Sequence, residues 1–565
     1  MPMPAGLEGC IRVLRTVERL GITHVFGLPG TQTVPLYEAL RRSGLQSVVP
    51  GSELMAAFMA GAFHRASGRP ALLVTIPGPG FAFALPGLAE ARLDSAALIH
   101  LTIAAAEGPE ARFRLQAIPQ RAIAARLAKA VMRIRSLEEI EPVLEAAYRL
   151  ALAGEPGPVV VELAAGSDAD DGDVWKAPRD SVAAADVGAA WARLGAARRP
   201  LIYAGQGCLG SADLLQRLAA QHGIPVMTTP SARGILPEDH PLALPFDPCR
   251  GGTAEANAAL AEADAVLVLG AKLGHNGSAG RRLNFDPRTT LQVDADPGIA
   301  GASYPVALAV AAPVEAFLAA APASLAAASW DAERLAALRT ALRRAGDGRV
   351  EPRVAGTSAA RFFSALRTAL PRAGMLVTDT GLHQVLTRRH FEVYSPGGLL
   401  LPSDFQSMGF GLPAAIAARL AAPDRPVVAL VGDGSMAISG LELATARALR
   451  ICLPVLVFVD GQLNQIRLQQ QSDYGHDSGV ELPPLDFHAL VDAVGVEYRV
   501  VDGDVGADLG WALSQAGPSL LAVPLGDSVG MVRTRVVRRS KDAVSGVLGA
   551  RLRSAVKRLV RRHRR

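Results

Sequence analysis

Two carboxylates stand 27 residues apart, each closing a short apolar run: Asp433 in Val431-Gly-Asp-Gly-Ser435, and Asp460 in Asp460-Gly-Gln462. A carboxylate at a strand end can hold a hard divalent cation through oxygen. The flanking glycines let main-chain N–H groups approach a phosphate where the next helical stretch, Met436 to Arg450, begins. Adjacent strand ends of a parallel sheet would bring both acids to one crevice. Gly-Asp-Gly alone is a common tight turn. The second acid at the next strand end is what favours a cation and a phosphate.

The elements that must position these acids are legible as alternation. Continuous apolar runs at residues 71–76, 200–204, 265–269, 427–431 and 454–459 suit parallel strands buried on both faces. Stretches with helical period lie between them, at 5–20, 53–67, 212–222, 359–370 and 437–450. The class is α/β. Polar or low-periodicity segments at 165–187 and 321–356 divide the body into 1–170, 185–325 and 355–530, with a separate segment 531–565.

Charge sharpens that division. The chain has 565 residues and a formal charge of +5. Residues 531–565 hold 13 of the 58 Lys and Arg but one of the 53 Asp and Glu, a net +12, so the first 530 residues carry −7. The basic balance belongs to the tail, and no nucleic-acid partner is expected for the acidic body. Cys10, Cys208, Cys249 and Cys452 lie far apart, without metal-site spacing. A reducing cytoplasmic location is expected. MPMPAGLEGC lacks a basic and apolar leader pattern. No apolar run approaches the length of a membrane span.

The order of several blocks then points to a family. Val25-Phe-Gly-Leu-Pro-Gly30, Glu53 through Gly68, Thr75-Ile-Pro-Gly-Pro-Gly80, residues 87–95, Thr378-Asp-Thr-Gly381 and Met408-Gly-Phe-Gly-Leu-Pro-Ala-Ala415 precede Gly432-Asp433-Gly434. Together they resemble the acetolactate synthase-like, thiamin diphosphate-dependent enzymes over residues 1 to about 530. The resemblance implies three Rossmann-like parallel-sheet domains: pyrimidine-binding, central and diphosphate-binding. It also implies active sites between subunits, hence a homodimer or homotetramer. The implied activity is that of a carboligase or lyase on a 2-oxo acid. A non-ligating decarboxylase is the alternative, and a catalytically idle relative acting through its basic tail is a second.

Site residues follow by position. Glu53 matches the glutamate that exchanges a proton with the cofactor's aminopyrimidine, general acid–base work within a cofactor that carries the hard step. Taken singly it is equally a helix-start glutamate favoured by the dipole. Asp433, Asp460 and the Gln462 carbonyl would ligate Mg²⁺, Asp460 replacing the usual Asn. Gly381, His383, Gly434 and Ser435 would contact the diphosphate. Met408, with Gln406 before it, would hold the pyrimidine. Ile438 matches the bulky residue that props the cofactor in its bent form, and a branched side chain is stiff enough for a wedge. Gln116 matches a glutamine near the reacting centre.

Departures from the anabolic acetolactate synthases are specific. Leu382 stands where Gln is frequent, and Gln469 where those enzymes have Trp. Pro29-Gly30-Thr31 replaces Pro-Gly-Gly, and Lys272-Leu-Gly-His-Asn276 replaces Arg-Phe-Asp-Asp-Arg. FAD in the central domain, near Gly205-Gln-Gly207 and Gly270, is therefore left open. In the tail, Val544, Val547, Leu548, Leu552, Val556, Leu559 and Val560 recur at helical spacing among arginines. A basic amphipathic helix is expected there, docked on the body or in peripheral contact with an anionic membrane.

Overall fold

A computed structural model describes residues 5–104, 114–164, 184–323, 325–348 and 351–526. The expected tail helix, and most of the 165–187 boundary segment, lie outside the described residues.

Three parallel six-stranded sheets account for the apolar runs. β1 (His24–Gly27), β2 (Gln46–Val48), β3 (Ala71–Thr75), β4 (Leu98–Ile103), β5 (Ala130–Ile134) and β6 (Pro158–Leu163) form the first, in the order β2-β1-β3-β4-β6-β5. β7 (Pro200–Ala204), β8 (Val226–Thr228), β9 (Ala243–Leu244), β10 (Ala265–Leu269), β11 (Thr290–Asp294) and β12 (Leu308–Ala311) form the second, in the order β12-β11-β10-β7-β8-β9. β13 (Met375–Thr378), β14 (Leu399–Leu400), β15 (Val427–Gly432), β16 (Leu453–Val459), β17 (Glu497–Val500) and β18 (Pro518–Pro524) form the third, in the order β14-β13-β15-β16-β18-β17. Val, Leu and Ile fill the central strands because helices cover both faces. In each sheet the strand order reverses inside the sheet, at β1/β3, β7/β10 and β13/β15, and in the first and third sheets again at the edge pairs β6/β5 and β18/β17. A crevice opens at the inner reversal, on the carboxyl edge.

Two buried helices join the first and third sheets. Glu53–Ser67 buries every residue from Met55 to Phe63, and Gly411–Ala421 buries Gly411 to Ala418. Both are rich in Ala and Gly, so their backbones can approach closely. Phe58 and Phe410 meet edge to face at 5.6 Å. A helix apolar on all sides belongs inside a core, and one hydrophobic cluster runs through both domains here.

Two local features differ from the periodicity. The stretch 437–450 is not one helix: Asp433–Ser439 ends at Gly440, and a new helix runs Glu442–Ala448. A Cβ at Gly440 would lie 2.6 Å from the Met436 carbonyl oxygen, so a side chain there would force the turn open. In the polar stretch after 321, the helix Ala332–Arg344 buries Leu335, Leu338 and Leu342. Leu338 and Leu342 join the central core. Among the described residues, no helix is long and apolar enough to cross a membrane.

Candidate active site

The third sheet brings the two acids together. Asp433 begins the helix after β15, and Asp460 follows β16. Asp433 Oδ2 accepts the N–H groups of Gly461 at 2.7 Å and Asp460 at 3.1 Å, while Oδ1 accepts that of Gly434 at 2.9 Å. Asp460 Oδ1 accepts the Gln462 N–H at 3.0 Å, and Oδ2 accepts Asn464 Nδ2 at 2.7 Å. Burial raises both carboxyls, Asp433 against its backbone hydrogen bonds and Asp460, with Asp433's charge added, to about 6. Two half-buried acids at one strand edge favour a cation between them. Among the described residues, no three His, Cys, Asp or Glu side chains form a metal cluster, so these two acids need further oxygen donors.

Across the β13/β15 crevice, Gly381 has φ +149° and precedes the helix Leu382–His390. A Cβ there would stand 2.8 Å from the His383 ring. Burial pushes the His383 imidazole down to about 3, against a hydrogen bond to the Asp379 backbone, so the ring is neutral at pH 7. Its Nε2 is buried without a hydrogen-bond partner, as is Thr380 Oγ1, while the Ser435 hydroxyl lies against the Asp379 carboxyl. Orphaned polar atoms beside two helix N-termini are what an anionic diphosphate would satisfy. These residues fit the cofactor's diphosphate and its cation.

Met408, Leu463 and Leu482 lie within 3.2–3.4 Å of where a Gly434 Cβ would stand, walling the phosphate turn. Gln406 is exposed with φ +59°, and its Nε2 donates to the Ser403 carbonyl at 3.1 Å. Ile438 is 47% exposed and packs on Gly409, where an added Cβ would meet Ile438 Cγ2 at 2.7 Å. A branched side chain held on a glycine and otherwise uncovered suits a prop for a bound molecule.

Glu53 and Gln116 belong to the first sheet's crevice. Glu53 starts its helix after the Ser52 cap, with Oε1 2.9 Å from where a Gly80 Cβ would stand. Gln116 has φ +64°, and its Oε1 accepts Gln32 Nε2 at 2.6 Å. A Cβ at Gly78 would meet the Gln116 carbonyl at 2.3 Å, so the loops after β3 and β4 press together only because residue 78 is glycine.

Sequence reasoning missed three acids. Asp379 accepts N–H groups from Thr380 at 2.7 Å, Gly409 at 3.1 Å and Gly411 at 2.6 Å. Glu90 accepts that of Ser407, and Asp94 those of Ser403 and Asp404. All three lie in the quoted blocks, so the blocks themselves were the available signal.

A crevice of about 820 Å³ lies at the β7/β10 reversal, where the central domain meets the first and third domains at Asp94, Glu155 and Ser403. Gly207 and Gly270 approach so closely that a Cβ on Gly207 would lie 3.0 Å from the Gly270 Cα. Asp294 ends β11, with Oδ1 taken by the Asp296 N–H at 3.0 Å. Lys272 Nζ reaches Glu155 at 3.0 Å and the Leu93 carbonyl at 2.6 Å, joining the central domain to the first.

Three crevice-bearing parallel sheets, the outer two presenting an acid and an anion cradle, define a thiamin diphosphate-dependent class of α/β enzyme. Comparison with known families agrees. The N-terminal, central and C-terminal domain models of the thiamine pyrophosphate enzymes match residues 9–123, 187–321 and 379–523. The chain belongs to that family. It is 28% identical over 527 residues to the acetolactate synthase isozyme 1 large subunit of Escherichia coli, covering 90% of this chain and 92% of that one. It is 31% identical over 473 residues to a "Probable 2-ketoarginine decarboxylase" of Pseudomonas aeruginosa, covering 80% and 82%. A probable acetolactate synthase large subunit of Methanocaldococcus jannaschii is 28% identical over 527 residues, covering 88% of each.

Proposed function

We propose that this enzyme uses thiamin diphosphate and Mg²⁺ to join or release acyl fragments of a 2-oxo acid, in the manner of the acetolactate synthases. The observation that carries the reading is the pairing of Asp433 and Asp460 beside the orphaned His383 Nε2 and Thr380 Oγ1. Asp433, Asp460 and the Gln462 carbonyl hold the cation; His383, Ser435, Gly381 and Gly434 bind the diphosphate. Met408 and Gln406 would receive the pyrimidine, and Ile438 would prop the bound cofactor. When bound, thiamin diphosphate would supply a carbon acid that becomes a nucleophile on losing its proton and would serve as the electron sink for decarboxylation of a 2-oxo acid. Glu53 holds and returns the proton at the pyrimidine end. Gln116, steadied by Gln32, orients the substrate.

A second copy of the chain completes the site. Val34 and Phe83 in the first domain, and Leu441 and Ile466 in the third, are exposed. A homodimer that sets Glu53 of one protomer against Asp433 of its partner would cover them. Decarboxylation without ligation is the second reading, favoured by Gln469 in place of Trp and by the likeness to a decarboxylase. Product analysis with pyruvate and 2-ketoarginine decides between them: acetolactate supports ligation, the aldehyde alone supports the second reading.

The crevice against Gly207, Gly270 and Asp294 is where a dinucleotide such as FAD would sit if the central domain binds one. Visible absorption of the purified protein tests flavin there. Vesicle co-sedimentation with and without residues 531–565 tests peripheral membrane contact, which unchanged binding on truncation would remove.

A further inference from the structure

The loop Ser403–Gly411 carries Gln406 and Met408, and five of its main-chain N–H groups end on acidic side chains. Asp379, from the same domain, takes those of Gly409 and Gly411. The others cross to the first domain: Asp94 accepts Ser403 at 2.9 Å and Asp404 at 3.0 Å, and Glu90 accepts Ser407 at 3.0 Å. Glu90 and Asp94 are four residues apart at the end of the helix Pro79–Leu93, where Asp94 is the cap.

Their situations differ. Asp94 is neutralised by Arg65 at 2.7 Å, both side chains being buried. Its own carbonyl accepts Gln206 Nε2 from the central domain at 2.8 Å, so Asp94 ties three domains together. Glu90 is 3% exposed, and its carboxyl lies against the Asp94 carboxyl and the Ser407 hydroxyl. A buried carboxyl set beside a second acid is a poor choice for plain interdomain glue, where an apolar residue would pack at less cost. What Glu90 does provide is an acceptor for the N–H immediately between Gln406 and Met408.

We propose that Glu90 is a positioning residue: by accepting the Ser407 N–H across the domain boundary, it sets the main chain of Gln406–Met408 for the aminopyrimidine. This rests on the function proposed above. The backbone contact itself does not depend on that function, so the two can fail separately.

Hydrogen–deuterium exchange of the cofactor-free full-length protein tests the contact, and calorimetric titration with thiamin diphosphate in excess Mg²⁺ tests its consequence. Glu90→Ala should raise exchange in the 401–410 peptide and weaken cofactor binding about tenfold, the scale of one lost hydrogen bond to a carboxyl group. Glu90→Asp, which draws the carboxyl back by one methylene, should act in the same direction if Glu90→Ala fails to fold. Glu90→Gln keeps the acceptor and should restore affinity to within about threefold. Unchanged exchange at 401–410 in the folded variants overturns the contact. Raised exchange with unchanged affinity overturns the positioning role. Wild-type protein that fails to bind the cofactor overturns the proposed function instead.

Discussion

Asp433 accepts the backbone N–H of Asp460 at 3.1 Å, so the ends of two neighbouring strands are tied by the side chain expected to bind metal. The tie makes the roles of the two acids unequal. Asp433 would both ligate the metal and hold the turn, whereas Asp460 would offer oxygen that an amide could replace. Asp433→Ala should weaken Mg²⁺-dependent binding of thiamin diphosphate at least about 100-fold, and Asp460→Asn by less than about tenfold. Calorimetry measures both, and equal losses would contradict the division of roles.

Ile438 is the most direct probe of cofactor geometry, because it supports little else. At 47% exposure it adds little to the core. Ile438→Ala should change unfolding free energy by only about 0.5–1 kcal/mol while lowering kcat about tenfold or more, on the scale set by misplaced reacting groups. Thermal unfolding and steady-state kinetics on one preparation separate the two effects.

Stability should fall on the alkaline side through Glu90. Burial, then the nearby Asp94 charge, pushes this carboxyl from 4.5 up to about 8. The folded protein therefore keeps a proton that the unfolded chain releases. The stability linked to it is complete below pH 4.5 and is lost as pH rises to about 8. Glu90→Gln removes the titration, so its melting temperature should gain on the wild type as pH rises through that window. A constant difference from pH 4.5 to 8.5 would contradict this.

The junction of the central and third domains rests on buried ions. Arg388 pairs with Asp247 at 3.0 Å, and Arg233 with Glu238 at 2.6 Å and Asp247 at 3.6 Å, all buried. Asp247→Ala leaves two guanidiniums short of a counter-charge and should cost about 3–5 kcal/mol in denaturant unfolding. A loss below about 1 kcal/mol, the surface-pair scale, would contradict it.

The parts of this molecule written locally were legible in the sequence. Apolar runs ending in glycine or acid placed β3, β7, β10, β15 and β16 to within a residue, because a strand buried on both faces needs continuous Val, Leu and Ile. The helix stop at Gly440 was not legible, since it depends on the approach of the Met436 carbonyl. Neither was the work of Glu90 and Asp94, whose partners lie 317, 309 and 310 residues away. An acid in a helix looks the same in sequence whether it faces water or caps a distant loop.

Glu53 is the residue by which the first domain's crevice would take part in the chemistry proposed at the third. The decisive measurement is CO₂ release from a panel of 2-oxo acids by the purified full-length protein with thiamin diphosphate and Mg²⁺, in parallel with Glu53→Gln. Cofactor- and metal-dependent release from at least one acid is expected, reduced about 10²- to 10⁴-fold in the variant, the range for loss of a positioned acid or base. No release from any 2-oxo acid, or equal release by wild type and variant, would contradict the account.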